Sequence, residues 1–275
     1  MLNKKPIVTA TVKVVCVFAL LFGLTAFARP ASAESALENV VDAGVIRVGV
    51  YDDLPPMSYL DGRGRRQGYE IDIARRVATD LLGGQARIEL VLLAPQDRLT
   101  ALDDGAADVL FCNLAVTPEH AEAVDFAAPY LTIHTAIASS LHDPIMNISQ
   151  LRGKKLIVVS GTTAEKYFAQ NHPEIALQAY PDNKQAFEAL ILGFGAGMAH
   201  DSHILLVWTA DNPQFSVSMP ELGEPLHIAP AVKNGDSGMR EWLDSEISAL
   251  ASEGFLLKTY AQHMPPSPGA ALTTE

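Results

Sequence analysis

The feature that most constrains the fold is the alternation of short β-rich runs with amphipathic runs of helical period. Residues 45–50 and 87–93 are predicted strands, and residues 70–82 between them carry apolar side chains at spacings of three and four, which predicts a helix. The same alternation returns over residues 155–210. Strands that alternate with helices form helix-covered sheets, so the chain is predicted to be an α/β protein.

The alternation falls into two series, which predict two lobes. A predicted strand at 109–114 completes the first series, and a short predicted strand at 215–218 stands near the end of the second. Two closing helices are predicted at 237–252 and 255–263. We expect these helices to return to the first lobe and cover it.

The first 33 residues have the order of a secretory signal peptide. Lys4, Lys5 and Lys13 precede an apolar run at residues 14–27, and the small residues Ala31-Ser32-Ala33 follow. The run is shorter than the roughly 20 residues that a membrane-spanning helix needs. An uncut anchor is the disfavoured alternative, and we expect export with cleavage after Ala33. The run Pro265-Pro266-Ser267-Pro268-Gly269 predicts a disordered tail over residues 265–275.

Charge and cysteine content restrict the function of the exported part. Without residues 1–33 the chain keeps 16 basic and 32 acidic residues. Such an acidic chain lacks the basic face that phosphate contacts require, which argues against nucleic-acid binding. Cys112 is then the only cysteine, so an intramolecular disulfide is excluded and a buried, inert thiol is expected.

Short motifs stand in a fixed order along residues 40–263. They are Arg47-Val48-Gly49, Pro55-Pro56-Met57-Ser58-Tyr59, Gly68-Tyr69-Glu70-Ile71-Asp72, Ala106-Ala107-Asp108-Val109, Val116-Thr117-Pro118-Glu119, Val124-Asp125-Phe126, Leu151-Arg152-Gly153-Lys154 and Gly161-Thr162-Thr163. In this order they resemble bacterial solute-binding protein family 3, the extracytoplasmic binding proteins of polar amino-acid ABC transporters.

The resemblance implies a two-lobed periplasmic-binding-protein fold of the type II-like class, with two crossing hinge strands near residues 130–137 and 226–231. Lobe 1 would comprise residues 34–134 and the return segment 229–264, and lobe 2 residues 135–228. A protein of this kind captures a small polar solute by hinge closure in the periplasm and delivers it to an inner-membrane ABC permease. We expect a monomer without a cofactor or a metal ion.

Most of the expected ligand-binding residues lie at the ends of predicted strands, where open α/β sheets bind their ligands, and the resemblance adds His120 and Asp201. They are Tyr51, Cys112, Asn113, Leu114, Ala115, His120, Val159, Thr162, Thr163 and Asp201. The N–H groups and hydroxyls at Gly161-Thr162-Thr163 suit a carboxylate or another anion. The alternative is that Thr162 only caps the next helix and Gly161 only turns the chain.

Asp201 and His120 are the two positions on which the ligand class depends. The resemblance implies that Asp201 receives the ligand's amino group, although Asp201 could simply cap the helix that follows it. His120 stands where relatives carry an arginine for the α-carboxylate, and a histidine offers one donor and no permanent charge near pH 7. Either His120 is a weaker carboxylate partner, aided by Thr163, or the ligand lacks an α-carboxylate.

Two other function classes are weaker. An enzyme on the same scaffold, similar to cyclohexadienyl or arogenate dehydratases, would need a general acid or base, for which His120, His200 and Asp201 are available. A metal-binding protein would need three or four convergent ligands, and His200 and His203 are the only closely spaced pair.

Overall fold

A computed structural model describes residues 1–2 and 36–264 of the chain. The chain divides into two units, Met1–Ala33 and Glu34–Glu275, and the fold below is that of the second. The expected signal peptide beyond its first two residues and the expected disordered tail at 265–275 lie outside the described residues. Within the described residues, no helix has both the length and the apolar character that a membrane span requires.

The described residues form nine α-helices. They are α1 (Ala36–Ala43), α2 (Tyr69–Leu82), α3 (Arg98–Asp103), α4 (Pro118–Ala123), α5 (Thr163–Asn171), α6 (Asn183–Ile191), α7 (Ser202–Asp211), α8 (Ser237–Ser252) and α9 (Phe255–His263). Short 3₁₀ turns lie at Gly83–Gln85, Pro95–Asp97 and Ile148–Leu151.

The same part of the chain forms twelve strands. They are β1 (Val45–Tyr51), β2 (Tyr59–Leu60), β3 (Arg66–Gln67), β4 (Arg87–Leu93), β5 (Val109–Leu110), β6 (Val124–Phe126), β7 (Leu131–Ser140), β8 (Lys155–Val159), β9 (Ala176–Tyr180), β10 (Gly197–Asp201), β11 (Phe215–Ile228) and β12 (Ala231–Lys233). The short strands β2 and β3 pair with each other in a small antiparallel ribbon.

Two five-stranded sheets define the two lobes. The sheet of lobe 1 has the order β4-β1-β5-β12-β6, in which β1 runs parallel to β4 and β5. The sheet of lobe 2 has the order β11-β7-β10-β8-β9, in which β8 runs parallel to β9 and β10. The predicted two-lobed α/β class is confirmed. We call the space between the lobes the cleft.

The chain crosses between the lobes twice, along neighbouring antiparallel strands. It enters lobe 2 through β7 and leaves it through β11, and these strands pair from Leu131↔Ile228 to Phe215↔Ser140. The sequence-based lobe boundaries at 134/135 and 228/229 fall inside β7 and at the end of β11, respectively. Because β12 follows β11 directly, the return segment adds a strand to the middle of the lobe 1 sheet.

Amphipathic helices seal the lobe 1 sheet. The predicted helix at 70–82 is α2, and its apolar face, which includes Ile71, Ala74 and Val77, is fully buried. Burial of each large apolar side chain of this kind contributes roughly 1.5–3 kcal/mol. The helix ends at Gly83, whose φ of 76° is the left-handed conformation that glycine adopts without strain.

Two predicted strands differ in length from those in the structure. The strand predicted at 109–114 is only Val109–Leu110, because Asn113 has a φ of 50° and turns the chain out of the sheet. The strand predicted at 215–218 extends to Ile228. Its pairing with β7 shifts register near Pro220 and Pro225, and these irregularities interrupt the alternation by which a strand is recognised.

Candidate functional site

The loop after β5 forms part of the cleft floor in lobe 1. Within it, the backbone N–H of Asn113 donates to Glu70 Oε1 at 2.6 Å. The hydroxyl of Tyr130 donates to the same oxygen at 2.5 Å. Glu70 lies in the first turn of α2 and is fully buried. The buried carboxyl group therefore holds the left-handed conformation of Asn113 by accepting its backbone N–H.

Glu70 is itself an unusual group for a protein interior. Its Oε2 is buried and has no hydrogen-bond partner among the described residues. Burial raises the pKa of Glu70 to about 7, although hydrogen bonds from Tyr130 and Asn113 oppose the rise. The carboxyl group is therefore partly protonated at neutral pH.

Arg98 begins α3 just beyond the carboxyl end of β4 and is only 5% exposed. Its Nε donates to Pro95 O at 2.8 Å, and its Nη1 donates to Cys112 O at 3.3 Å and Asn113 O at 3.4 Å. The guanidinium carbon lies 5.4 Å from the centre of the Tyr51 ring, in a cation–π arrangement. Arg98 thus joins the loop after β5 to the end of β1.

On lobe 2, the loop between β8 and α5 caps the N-terminus of α5. Thr162 Oγ1 accepts the N–H of Glu165 at 3.3 Å and donates to Val159 O at 2.7 Å. Glu165 in turn accepts the N–H of Gly161 at 2.7 Å. Thr162 therefore does cap α5, and the Glu165 carboxylate occupies one of the N–H groups that could otherwise have bound an anion.

Asp201 ends β10 and faces lobe 1. It occupies the N-cap position of α7, yet its side chain makes no capping hydrogen bond. Instead, Oδ2 accepts a hydrogen bond of 2.6 Å from Asn113 Nδ2 across the cleft. Asn113 Oδ1 is buried and lacks a partner among the described residues. The hydrogen bond between the two lobes therefore leaves one acceptor, Asn113 Oδ1, without a donor in the described part of the chain.

His200 does not neutralise Asp201, although its Nδ1 lies 3.9 Å from Asp201 Oδ2. Nδ1 accepts the backbone N–H of Asp201 at 2.7 Å and therefore carries no hydrogen. Nε2 carries it and donates to Asn183 Oδ1 at 2.8 Å. Burial also lowers the pKa of His200, so the ring is neutral at pH 7.

His203 lies in the first turn of α7 and is 3% exposed. Both ring nitrogens are buried without a hydrogen-bond partner in the described part of the chain. Burial lowers the pKa of His203 to about 4, because a charged imidazolium there would lose its hydration without replacement. This ring is therefore neutral in the folded protein above about pH 5.

His120, on the short helix α4, is also a neutral histidine. Its Nδ1 lies 2.8 Å from Ala115 O, and because a carbonyl oxygen only accepts, Nδ1 carries the hydrogen. Burial lowers the pKa of His120. The neutral ring has no second hydrogen, so Nε2 is a hydrogen-bond acceptor.

Cavities open between the lobes. A cavity of about 640 Å³ is lined by His120 and Thr163 from opposite lobes. At its edge, Lys166 Nζ of lobe 2 lies 2.7 Å from Glu119 Oε2 of lobe 1. A second cavity of about 530 Å³ includes Tyr51 in its lining. The interlobe contacts of the described residues thus describe a closed cleft.

The structure buries most of the ten residues expected to bind ligand. Thr163 is half-buried, and the other nine are buried: Tyr51, Cys112, Asn113, Leu114, Ala115, His120, Val159, Thr162 and Asp201. Asn113 meets Asp201 across the cleft. Cys112 and Leu114 have no exposed surface and belong to the lobe 1 core, and burial raises the pKa of the Cys112 thiol to about 12.

The residues at 36–264 contain no group of three or more His, Cys, Asp or Glu side chains that could hold a metal ion. His200 and His203 do not converge on a shared site, since His200 is bonded to Asn183.

Comparison with known proteins decides the family. The model of the bacterial extracellular solute-binding proteins, family 3, matches residues 46–266. The chain belongs to this family. Among proteins similar to this family 3 member is the ABC transporter glutamine-binding protein GlnH of Bacillus subtilis, 26% identical over 193 residues, which cover 70% of each chain.

Solved structures similar to this solute-binding protein include two cysteine receptors. The solute receptor for L-cysteine of Neisseria gonorrhoeae is 37% identical, with a TM-score of 0.80, over 84% of this chain and 93% of that one. The cysteine-binding protein of Campylobacter jejuni is 35% identical, with a TM-score of 0.82, over 86% and 97%.

Sequence reasoning missed Arg98 and Glu70, which are buried in lobe 1 beneath the loop after β5 of this solute-binding protein. Arg98 follows the predicted strand at 87–93, so the strand-end rule that selected Tyr51 would have selected it too. Glu70 stands inside a recognised motif, between the buried residues Tyr69 and Ile71. An acidic residue such as Glu70 between apolar residues that are expected to be buried is unusual, and this pattern could have marked Glu70 as a candidate functional residue.

Proposed function

We propose that this solute-binding protein captures a small zwitterionic α-amino acid with a short uncharged side chain, of the size of L-cysteine. It delivers this ligand from the periplasm to an inner-membrane ABC permease, as a monomer and without a cofactor. Of the ten residues expected from the sequence, Asp201 and Asn113 are foremost in the ligand site, whereas Cys112 and Leu114 support it from the lobe 1 core.

The observation that carries this proposal is the unpaired carboxylate of Asp201. Asp201 is 6% exposed and makes no ion pair with a Lys or Arg of the described residues. A buried carboxylate is costly without a cation. An ammonium group between Asp201 and the free Oδ1 of Asn113 supplies both the charge and the missing donor.

The surroundings favour a short, uncharged ligand side chain. On lobe 1, the loop after β5 presents Ala115, and the thiol of Cys112 is sealed. The two similar cysteine receptors, each at least 35% identical, support the same ligand size.

Closure of the two lobes is the proposed mechanism of capture. Each lobe provides half of the site, and β7 and β11 are the connections about which the lobes rotate. The ligand favours the closed form because only that form offers Asp201 and Asn113 together. The permease then recognises the closed form.

We further propose that the protein does not catalyse a reaction. Glu70 has a pKa close to neutrality, but its carboxyl group is fully buried in lobe 1 and its Oε1 accepts hydrogen bonds from Tyr130 and Asn113. A purified protein that converts prephenate or arogenate would overturn this part of the proposal.

The test is a calorimetric titration with a panel of the twenty amino acids, with a reductant present for L-cysteine. We expect L-cysteine or another small neutral amino acid to bind with a micromolar or lower Kd. Small-angle scattering should show a smaller radius of gyration with that ligand. If only charged or large amino acids bind, or none does, the proposal is wrong.

A further inference from the structure

Arg98 is a buried cation that forms no ion pair within the described residues, although Glu70 and Asp201 lie within electrostatic range of it. Its hydrogen bonds go to the main-chain oxygens of Pro95, Cys112 and Asn113. No carboxylate of the described residues lies within 4.0 Å of its nitrogens. Burial of a cation is unfavourable unless an anion pairs with it. Its Nη2 group makes no hydrogen bond to an oxygen of the described residues, and the side chain with which Arg98 hydrogen-bonds there is the uncharged Cys112 thiol, not an anion.

Arg98 and Asp201 are complementary across the cleft. Arg98 belongs to lobe 1 and Asp201 to lobe 2, and they lie within electrostatic range of each other without forming an ion pair. A zwitterion with its ammonium at Asp201 and its carboxylate at Arg98 would neutralise both buried charges. Two unpaired charges of opposite sign on opposite lobes are what such a ligand requires.

The dimensions of an α-amino acid favour Arg98. The carboxylate carbon of the ligand lies two bonds from the ammonium nitrogen, so the carboxylate partner must stand beside the ammonium site. Arg98 Nη1 is 3.4 Å from the backbone oxygen of Asn113, whose side chain meets Asp201. The guanidinium therefore lies next to the residue that marks the ammonium site.

His120 is a poor partner for a carboxylate in this structure. Its single hydrogen is on Nδ1 and donates to Ala115 O at 2.8 Å. The remaining Nε2 lone pair repels a carboxylate oxygen. Lys166 is held by Glu119 at 2.7 Å. These groups leave Arg98 as the better anion partner.

We infer that Arg98 binds the α-carboxylate of the ligand, in place of the arginine that relatives carry at the position of His120. This inference rests on the proposed function, because it assumes an amino-acid ligand. It assigns a ligand-binding role to a residue outside the expected set and makes the carboxylate, not only the ammonium, a requirement for binding.

The experiment compares L-cysteine with cysteamine, which is the same molecule without its carboxylate. Both are titrated, with cysteamine in competition if it binds weakly, against the parent, Arg98→Met and His120→Gln. We expect Arg98→Met to weaken L-cysteine binding by about 100-fold or more but cysteamine binding by less than about threefold. The preference for L-cysteine should survive in His120→Gln.

Arg87→Met is the matched control, because Arg87 is exposed at the opposite end of β4 and its loss removes the same charge. If Arg98→Met does not fold, Arg98→Lys carries the test, with a reduced preference expected because lysine lacks the planar fork. Equal losses for both ligands would show that Arg98 only braces the loop and would overturn the inference. Loss of the preference in His120→Gln instead would also overturn it. A parent that binds no amino acid would overturn the proposed function.

Discussion

Replacement of Asp201 by Asn should separate ligand affinity from protein stability. Asn has the same shape, and its carbonyl oxygen can still accept the 2.6 Å hydrogen bond from Asn113 Nδ2. The variant lacks only the negative charge that we assign to the ligand ammonium. We therefore expect weak ligand binding by a protein that is as stable as the parent.

The burial of Asp201 sets the size of the effect. Asp201 is 6% exposed, so a ligand ammonium would pair with it out of contact with water. Removal of one member of a buried ion pair costs about 3–5 kcal/mol. The Kd of the cognate amino acid should therefore rise roughly 150- to 5,000-fold. In the unliganded protein the change removes a buried charge without a cation, so the free energy of unfolding should stay within about 1 kcal/mol of the parent value or increase.

Calorimetric titration and urea unfolding of the same preparations measure both quantities. Asp143→Asn is the control, because Asp143 is an exposed lobe 2 acid and its replacement removes the same charge at the surface. A Kd that changes less than tenfold in Asp201→Asn would refute the ammonium assignment. A large loss of unliganded stability would show that Asp201 serves the fold instead.

Two further predictions concern stability. The pKa of His203 is about 4 in the folded protein and about 6.5 when unfolded, so the unfolded chain gains a proton first as the pH falls. Stability should decline by roughly 3 kcal/mol between about pH 6.5 and pH 4, and thermal unfolding of His203→Leu should show a shallower decline. Separately, Gly68→Ala would place a Cβ 2.2 Å from Met57 O at a φ of 140°, whereas Gly62→Ala meets nothing within 4 Å. Urea unfolding should show a loss of more than about 2 kcal/mol for the first variant and little change for the second, and equal effects would contradict the steric argument.

Local pattern was sufficient for most helices and strands. The predicted helices at 237–252 and 255–263 match α8 and α9. Each segment contains its own apolar residues at helical spacing, so no distant residue is needed to recognise the helix. The strand at 109–114 was predicted too long for a reason that sequence pattern does not contain. Asn113 turns out of the sheet because Glu70, 43 residues earlier, accepts its N–H.

The candidate site shows the same division between local and tertiary information. Asn113 was expected from its place at the end of a predicted strand and Asp201 from the family resemblance, but their contact is created by lobe closure over a separation of 88 residues. The neutral state of His120 depends on burial, and the place of its hydrogen on Nδ1 depends on the hydrogen bond to Ala115; its residue type reveals neither. The role inferred for Arg98 likewise depends on the lack of an ion pair between Arg98 and Glu70 or Asp201, which becomes visible only in three dimensions.

The central position of β12 in the lobe 1 sheet has a consequence for the order of folding. Lobe 2 is built from one continuous stretch of chain between β7 and β11, so it can fold as soon as that stretch has been synthesised. Lobe 1 begins earlier in the chain, but its sheet cannot be completed until β12 inserts between β5 and β6, about 100 residues after β6. This long-range pairing carries a cost in loop-closure entropy. The lobe that is synthesised first is therefore completed last, and a nascent chain that stops before residue 231 exposes two unpaired strand edges that invite aggregation.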